Sequence, residues 1–126
     1  IKVWGYFMLG MYGDNERSME ETINLSLTEP FDIVNYAVAA PYPGTEWGNI
    51  AEAKGWLADT RWEAYDQNYS AQVNQPGCDV HLVRVFQQRA YRNWYCSKRG
   101  LRFFANSFRP EYATYFLKSA LAHVFN

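Results

Sequence analysis

The chain has 126 residues, of which 48% are apolar and 20% are charged, a balance typical of one globular domain and not of a disordered segment. Twelve basic residues stand against thirteen acidic ones, the net charge is −1, and no run of lysine or arginine occurs, so we expect no nucleic-acid partner. No apolar run approaches the roughly 20 residues that span a bilayer, and no secretory signal pattern is present, so the sequence predicts a cytoplasmic protein that does not span a membrane.

The first elements in chain order form a strand–helix–strand unit. Residues 3–9 are a continuous apolar run, which predicts a strand covered on both faces. A helix over 18–27 is predicted because Ser18 and Glu21 have the spacing of a capping box. A second apolar run predicts a strand over 31–39. Two strands joined by one helix form a βαβ unit, so we expect these strands to be parallel.

The remainder of the chain is predicted to be mostly helical. A short helix over 46–54 is expected to end at Gly55, and a helical turn is expected near 61–64. Asp79 is a plausible N-cap for a helix over 79–97. Its apolar stripe consists of Leu82, Phe86, Ala90 and Trp94. Pro110 can begin a final helix over 110–125.

The aromatic content of 18% indicates either a dense core or surfaces that another part of the protein covers. Two parallel strands require cover on both faces and further strands beside them. Because the apolar run begins at residue 3 with no lead-in, we expect the missing strands of the sheet to lie upstream of residue 1. The fold class predicted is therefore α/β: a partial (β/α) barrel over 1–58 followed by a helical extension over 59–126.

The turns that follow the two strands are candidates for a ligand site. The carboxyl ends of parallel strands meet at one edge of a sheet, where ligands bind in α/β proteins. Gly10 and Gly13 follow the first strand, and residues 41–45 (PYPGT) follow the second. This pattern indicates a small-molecule binding site formed by the two turns at the carboxyl ends of the strands, which we call the rim. Two tight turns without a ligand remain an alternative, as does a nucleotide-binding module that uses the Gly10–Gly13 turn for phosphate.

Several segments in this order resemble the late part of the radical S-adenosylmethionine (radical SAM) barrel. They are residues 5–14 (GYFMLGMYGD), 18–22 (SMEET), 41–45 (PYPGT), 51–57 (AEAKGWL) and 61–66 (RWEAYD). That order is most similar to the subgroup with an amino-terminal cobalamin-binding domain. The resemblance implies a cofactor pocket for S-adenosylmethionine and, in the whole enzyme, a [4Fe–4S] iron–sulfur cluster and possible use of cobalamin. It also implies radical chemistry, such as methylation or cyclisation, on an unactivated carbon of a small-molecule or lipid-like substrate.

The resemblance places the adenine ring beside the ends of the two strands. Carried over by position, the candidate cofactor-binding residues are Phe7, Met8, Leu9, Gly10, Gly13, Ala39, Ala40 and Pro41. Side chains of a strand alternate between faces, so only one of each neighbouring pair can face a ligand. An alternative reading of Phe7 and Leu9 is ordinary barrel core.

Two departures from the family pattern limit what this chain can do. The turn that the family writes Pro-Gly-Glu-Thr is residues 12–15 (YGDN) here, which keeps the glycine but shortens the acid. The Cys-x-x-x-Cys-x-x-Cys motif that holds the cluster is absent, since the chain has only Cys78 and Cys96. We therefore name no catalytic or metal-binding residue, and we expect the chain to be inactive alone.

The remaining reactive residue types do not form a recognisable constellation. His81 and His123 are far apart in sequence and have no neighbouring ligands, and neither cysteine has a nearby histidine. A non-catalytic interaction domain, whose aromatic helices over 79–97 and 110–125 dock onto a partner, is the remaining alternative.

Overall fold

A computed structural model describes residues 1–65 and 73–107. Over those residues the elements in chain order are β1 (Trp4–Leu9), α1 (Glu16–Thr28), β2 (Ile33–Val38), α2 (Glu46–Ala53), a short 3-10 helix (Trp62–Ala64), α3 (Val80–Tyr95) and α4 (Lys98–Ser107). The described part of the chain is thus mixed α/β, with four α-helices and one two-stranded sheet. Within it, no helix has the length and apolar character needed to cross a membrane.

The two strands are parallel and adjacent, as the sequence predicts for a βαβ unit. Trp4 lies beside Ile33 and Leu9 beside Val38, so all six residues of β1 are in register with β2. Helix α1 connects the strands and packs on β1, while α3 packs on β2 and on α1. The fold therefore places two helices on one face of a small parallel sheet.

The hydrophobic core lies between the sheet and these two helices. Alternate residues of both strands point into it, because successive side chains of a strand face opposite sides. The core consists of Leu9, Met19, Ile23, Val34, Tyr36, Val38, Cys78, Val83, Phe86, Ala90, Tyr91 and Trp94. The prediction that the first strand is covered on both faces is wrong for the described residues, since Trp4, Tyr6 and Met8 are exposed on the other face.

Helix α1 begins earlier than the sequence predicts, and its cap is different. Asn15 is the N-cap, and its side chain accepts hydrogen bonds from the backbone N–H groups of Arg17 and Ser18. The Ser18 hydroxyl accepts in return from the Asn15 N–H at 3.0 Å. The capping box is therefore Asn15 with Ser18. Glu21 instead forms an exposed ion pair with Arg17, one helical turn away.

The other helices agree with the sequence where both describe the same residues. Thr45 caps α2, and Gly55 follows that helix with a left-handed φ of +66°. Asp79 caps α3 through a bond from the Leu82 N–H at 2.7 Å. Helix α4 was not predicted, and the predicted helix over 110–125 lies outside the described residues.

A close turn joins α3 to α4. A Cβ on Gly100 would lie 2.4 Å from the carbonyl oxygen of Trp94, so only glycine fits there. Arg99, its neighbour, donates hydrogen bonds from its guanidinium to the carbonyls of Leu27, Thr28 and Glu29. These are orphan acceptors at the carboxyl end of α1, which a cation stabilises. Arg99 thus fastens α4 to α1.

Candidate functional site

The backbone of the turn after β1 is hydrogen-bonded to side chains of the same chain. A carboxylate oxygen of Asp14 accepts from the Met11 N–H at 2.9 Å, which closes the turn locally. Gln75, from a distant segment, accepts from the Gly13 N–H at 3.1 Å and donates to the Met11 carbonyl at 2.7 Å. Gln75 is only 6% exposed. The buried amide of Gln75 therefore bonds both the Met11 carbonyl and the Gly13 N–H. The Gly13 N–H already has an acceptor within the chain.

The two glycines of this turn have different physical roles. Both have positive φ, +78° at Gly10 and +85° at Gly13, where side chains are strained. A Cβ on Gly10 would lie 2.9 Å from a methyl group of Val83, whereas a Cβ on Gly13 would meet nothing within 4 Å. Gly10 is therefore required for the approach of α3, and Gly13 is required for the backbone conformation alone.

The turn after β2 lies at the same edge of the sheet. The Ala39 N–H continues the ladder by donating to the Leu9 carbonyl at 2.9 Å, and the Tyr42 N–H donates to the Ala40 carbonyl at 3.0 Å. A Cβ on Gly48 would lie 2.2 Å from the Tyr42 carbonyl oxygen, so α2 approaches this turn closely. The carboxyl ends of both strands thus form one continuous rim.

Aromatic side chains surround this rim. The Tyr12 and Trp56 rings lie 6.2 Å apart, and the Tyr42 and Tyr65 rings stack at 5.5 Å. The ammonium of Lys54 lies 4.8 Å from the centre of the Trp56 ring, a cation–π contact. We call Tyr12, Tyr42, Trp56 and Tyr65 the aromatic rim. It offers flat ring surfaces, with the Lys54 ammonium beside Trp56.

Below the rim, one face of the sheet is uncovered in the described structure. Trp4, Tyr6 and Met8 of β1 are 58%, 70% and 45% exposed. Ile33, Asn35 and Ala37 of β2 lie beside them and are half-buried. We call these six residues the open face. Large apolar side chains on a contiguous exposed surface indicate a binding surface.

The structure divides the candidate cofactor residues between two sides of the sheet. Leu9 is fully buried under the helices, and Phe7 packs against Phe31 and Tyr36 on the same side. Met8 lies on the open face. Of the predicted strand residues, only Met8 directs its side chain away from the helical layer.

The residues after the second strand are similarly divided. Ala39 is 2% exposed and Pro41 is fully buried, while Ala40 is half-buried at the edge of the sheet. Gly13 lies exposed in the neighbouring turn, and Gly10 is buried against α3. Of these candidate residues, Met8 and Gly13 are exposed and Ala40 is partly exposed.

The outer edge of β2 is closed by side chains of α3. The Gln87 amide donates to the Tyr36 carbonyl at 2.7 Å, and the Tyr91 hydroxyl accepts from the Tyr36 N–H at 3.1 Å. The same hydroxyl donates to the Asn35 side-chain carbonyl at 2.7 Å. Sequence reasoning missed Gln75 and Gln87. A glutamine among the buried positions of a helix is the available signal for Gln87, because a buried amide needs partners.

Tyr36 itself lies fully buried at the centre of the core. Burial raises the pKa of its phenol to about 12, because the charged phenolate would lose its hydration, although a hydrogen bond with the Ser26 hydroxyl opposes that shift. The phenol therefore stays protonated at neutral pH and serves as a structural group.

The described residues do not offer a metal site. No group of three or more His, Cys, Asp or Glu side chains there could hold an ion. Cys78 is buried near the amino end of α3, and Cys96 is exposed at its carboxyl end. Burial raises the pKa of the Cys78 thiol, which disfavours the thiolate that metals and electrophiles require.

These features were compared with known proteins. The chain matches no family model, no curated protein and no solved structure. The inferences below therefore depend on the geometry of the site and on the motifs of the sequence.

Proposed function

We propose that residues 1–58 supply the adenine side of the S-adenosylmethionine pocket in a radical SAM enzyme. The observation that carries the proposal is the parallel pairing of β1 with β2, since it brings the turn of residues 10–15 and the turn of residues 39–45 to one edge. In the whole enzyme, reductive cleavage of S-adenosylmethionine would give a 5′-deoxyadenosyl radical, or a cobalamin cofactor would carry a methyl group, for reaction at an unactivated carbon. A partial (β/α) barrel is the architecture that this proposal requires.

The accessible side chains suit a flat, uncharged ring. Met8 is flexible and polarisable, and thioethers make favourable contacts with aromatic systems. The Tyr12 ring, which belongs to the aromatic rim, is 51% exposed. The proposal places adenine beside Met8 and the backbone of the second turn. Phe7 and Leu9 support this surface from the helical side.

The cluster does not fit the residues of this chain. A [4Fe–4S] cluster that binds S-adenosylmethionine is held by three cysteine thiolates, and this sequence has two cysteines in all. Cys78 is buried in the core, and Cys96 lies at the opposite end of α3. The proposal therefore gives this chain a binding role and no redox step.

The two alternative functions, a phosphate-binding module and a protein-docking domain, receive less support from the observed hydrogen bonds and burial. A phosphate cradle at Gly10–Gly13 needs free N–H donors, but Gln75 occupies that of Gly13. Docking through α3 needs exposed rings, but Phe86, Tyr91 and Trp94 are buried. The second helix of that alternative, over 110–125, lies outside the described residues.

Titration of the 126-residue chain with S-adenosylmethionine, followed by calorimetry, tests the proposal. Met8→Glu places a charge on the open face, and we expect it to weaken binding at least about tenfold because the charge cannot be hydrated beside a bound ring. Leu25→Glu is the matched control, since Leu25 is 50% exposed on α1, away from the rim, and should leave binding unchanged.

Three results would contradict the proposal. The first is no heat of binding with the unaltered chain. The second is equal binding by the Met8→Glu and Leu25→Glu variants. The third is a preference for ATP, which would support the phosphate-binding alternative instead. The coding sequence upstream of residue 1 gives a separate check, because the proposal expects a Cys-x-x-x-Cys-x-x-Cys motif there.

A further inference from the structure

The first turn of the rim is a β-turn whose central peptide joins Tyr12 to Gly13. The Asp14 N–H donates to the Met11 carbonyl at 2.9 Å, which closes the turn. Gly13 has a φ of +85°, and among the described residues only glycines have a positive φ. A β-turn whose third residue alone has a positive φ is a type II turn, with Tyr12 as its second residue.

A turn of this composition can hold its central peptide in two orientations. Type I and type II turns differ by a rotation of that peptide, and glycine at the third position accepts both because it tolerates either sign of φ. The rotation would exchange the directions of the Tyr12 carbonyl and the Gly13 N–H, since the two groups of a trans peptide point to opposite sides. The bond between Asp14 and Met11 is compatible with both turn types. The choice between them therefore depends on a contact from outside the turn.

Gln75 supplies that contact from the interior. Its amide oxygen accepts from the Gly13 N–H at 3.1 Å, and its amide nitrogen donates to the Met11 carbonyl at 2.7 Å. Gln75 is 6% exposed, whereas Tyr12 is 51% exposed. The Gly13 N–H therefore points toward the buried amide, and the Tyr12 carbonyl of the same peptide points away from it.

The backbone of Gln75 is itself fixed by a tight turn. The Gln75 N–H donates to the Cys78 carbonyl at 3.2 Å, and the Gln75 carbonyl accepts from the Cys78 N–H at 3.0 Å. Pro76 and Gly77 lie at the centre of this turn, where a φ of +79° at Gly77 is again typical of type II. Cys78 is 1% exposed and belongs to the hydrophobic core. The amide of Gln75 thus extends from a segment that the core holds in place.

We propose that Gln75 is a specificity-determining residue of the rim, because it makes the Tyr12–Gly13 peptide present its carbonyl to the ligand. A carbonyl only accepts hydrogen bonds, so it favours a ring that carries an N–H donor over a ring with an acceptor at the same place. The inference rests on the proposed function, in which the ligand is S-adenosylmethionine and the donor is the amino group of its adenine. Gln75 acts through the peptide and does not contact the ligand.

The opposite orientation of the peptide would select a different ligand. It would present the Gly13 N–H, a donor, which suits a ring carbonyl or an anion. It would also leave the buried amide oxygen of Gln75 without this donor, which is unfavourable. A site that hydrogen-bonds one group of a ligand rejects the analogue that lacks it, because a polar group of the site is then left unpaired.

Calorimetric titration compares S-adenosylmethionine with S-inosylmethionine, in which a carbonyl replaces the amino group of the ring. We expect the unaltered 126-residue chain to bind S-adenosylmethionine at least about tenfold more tightly. Gln75→Met has a similar length but no amide, and it should bring the two affinities within about twofold of each other, because the peptide is then free to rotate. Gln75→Glu should keep the preference, since its carboxyl group, ionised or protonated, still has an oxygen that accepts from the Gly13 N–H.

Gln87→Met is the matched control. Gln87 is also 6% exposed, and its amide donates to the Tyr36 carbonyl at 2.7 Å, so this variant removes a buried amide that does not contact the turn. A loss of stability alone weakens the binding of both compounds by the same factor and leaves their ratio unchanged. We therefore expect Gln87→Met to retain the preference of the unaltered chain.

Hydrogen exchange of the ligand-free protein measures the orientation of the peptide directly. The Gly13 N–H should exchange at least about tenfold faster in Gln75→Met than in the unaltered chain, because its inward acceptor is gone. In Gln75→Glu and in Gln87→Met its exchange should remain slow. If Gln75→Met does not fold, Gln75→Asn, whose amide is one methylene shorter, replaces it with the same expectations.

Failure of this inference and failure of the proposed function give different results. If the unaltered chain does not bind S-adenosylmethionine, the proposed function is refuted together with the ligand named here. If it binds both compounds with equal affinity, the role of Gln75 is refuted and the proposed function stands. A preference that survives in Gln75→Met, or a Gly13 N–H that exchanges there at the unaltered rate, refutes that role in the same way.

Discussion

Substitution of Gly10 by alanine, compared with the same change at Gly13, gives the sharpest test of how the rim is built. Both glycines have similar left-handed backbone conformations, with φ of +78° and +85°. An alanine in this region costs roughly 1–2 kcal/mol of folding free energy. This strain is common to both variants, so the difference between them reports on contacts alone.

That difference is expected to be large. The added Cβ at position 10 would lie 2.9 and 3.1 Å from the two methyl groups of Val83, and at position 13 it would meet nothing within 4 Å. Val83 is 2% exposed on α3 and has little room to move. Overpacking of this kind costs about 1–3 kcal/mol. We therefore expect Gly10→Ala to lower the free energy of unfolding by about 2–5 kcal/mol, and Gly13→Ala by about 1–2 kcal/mol.

Urea denaturation followed by tryptophan fluorescence is the assay, with the slope of the transition as a check on two-state behaviour. A double-mutant cycle with Val83→Ala identifies the cause. In the Val83→Ala background the methyl groups are gone, so the cost of Gly10→Ala should fall to that of Gly13→Ala. The coupling free energy should be about 1–3 kcal/mol.

Equal losses of stability for the two glycine variants, or zero coupling between positions 10 and 83, would refute this reasoning. Gly10 would then not be required by α3. If Gly10 served only to let a ligand approach, Gly10→Ala would weaken ligand binding. In the free protein it would then lower the free energy of unfolding by the backbone strain alone.

Three further predictions concern the core and the two thiols. Tyr91→Phe should cost about 1–3 kcal/mol and should speed hydrogen exchange at the Tyr36 N–H, since that buried donor loses its acceptor; an unchanged exchange rate would contradict the closed β2 edge. Because folding raises the pKa of Tyr36 to about 12 from an ordinary value of 10.0, its contribution is complete below pH 10 and is lost as the pH rises through 12. Denaturation at pH 8, 10 and 11 should show a progressive loss of stability, and Tyr36→Phe should reduce that loss by about 1.4 kcal/mol at pH 11. Alkylation of the native protein should modify Cys96 quickly and Cys78 only on unfolding, and equal rates by mass spectrometry would contradict the burial of Cys78.

The βαβ unit was predictable because its signals are local and agree with one another. The apolar runs of β1 and β2 are separated by a helical segment of the right length, and a connection of that kind forces parallel strands. The same holds for the helix cap at Asp79, where a short polar side chain precedes a helical pattern. The ends of these elements lie within two residues of the predicted ends.

The start of α1 shows why boundaries are harder. Asn15 and Ser18 are both good N-cap residues, and the spacing of Ser18 and Glu21 suits a capping box equally well. What decides between them is the Asp14–Ser18 contact and the turn that Gln75 holds in place, since they fix the chain at Asn15. The first contact is local, but Gln75 lies about sixty residues away, and its role does not appear in the sequence around Asn15.

The sequence also could not predict which element covers each face of β1. A continuous apolar run indicates that both faces of a strand are shielded from water, but it does not indicate which element covers each face. Helices of this chain cover the face of Leu9, and in the described residues no element covers the face of Tyr6. The candidate site followed from strand order, while its division into accessible and buried residues required the structure.

The contacts of Gln75 bear on which class of ligand the rim can bind. Its buried amide uses the Gly13 N–H and the Met11 carbonyl, so the turn has its shape before any ligand arrives. A phosphate group needs several free N–H donors, and this turn has lost one to its own chain. What remains accessible is a methionine side chain and the aromatic rim, whose flat rings favour stacking and which Lys54 contacts at Trp56. Ligands recognised there should therefore present a planar ring to the protein, and any phosphate or carboxylate they carry should point toward solvent or toward another part of the binding site.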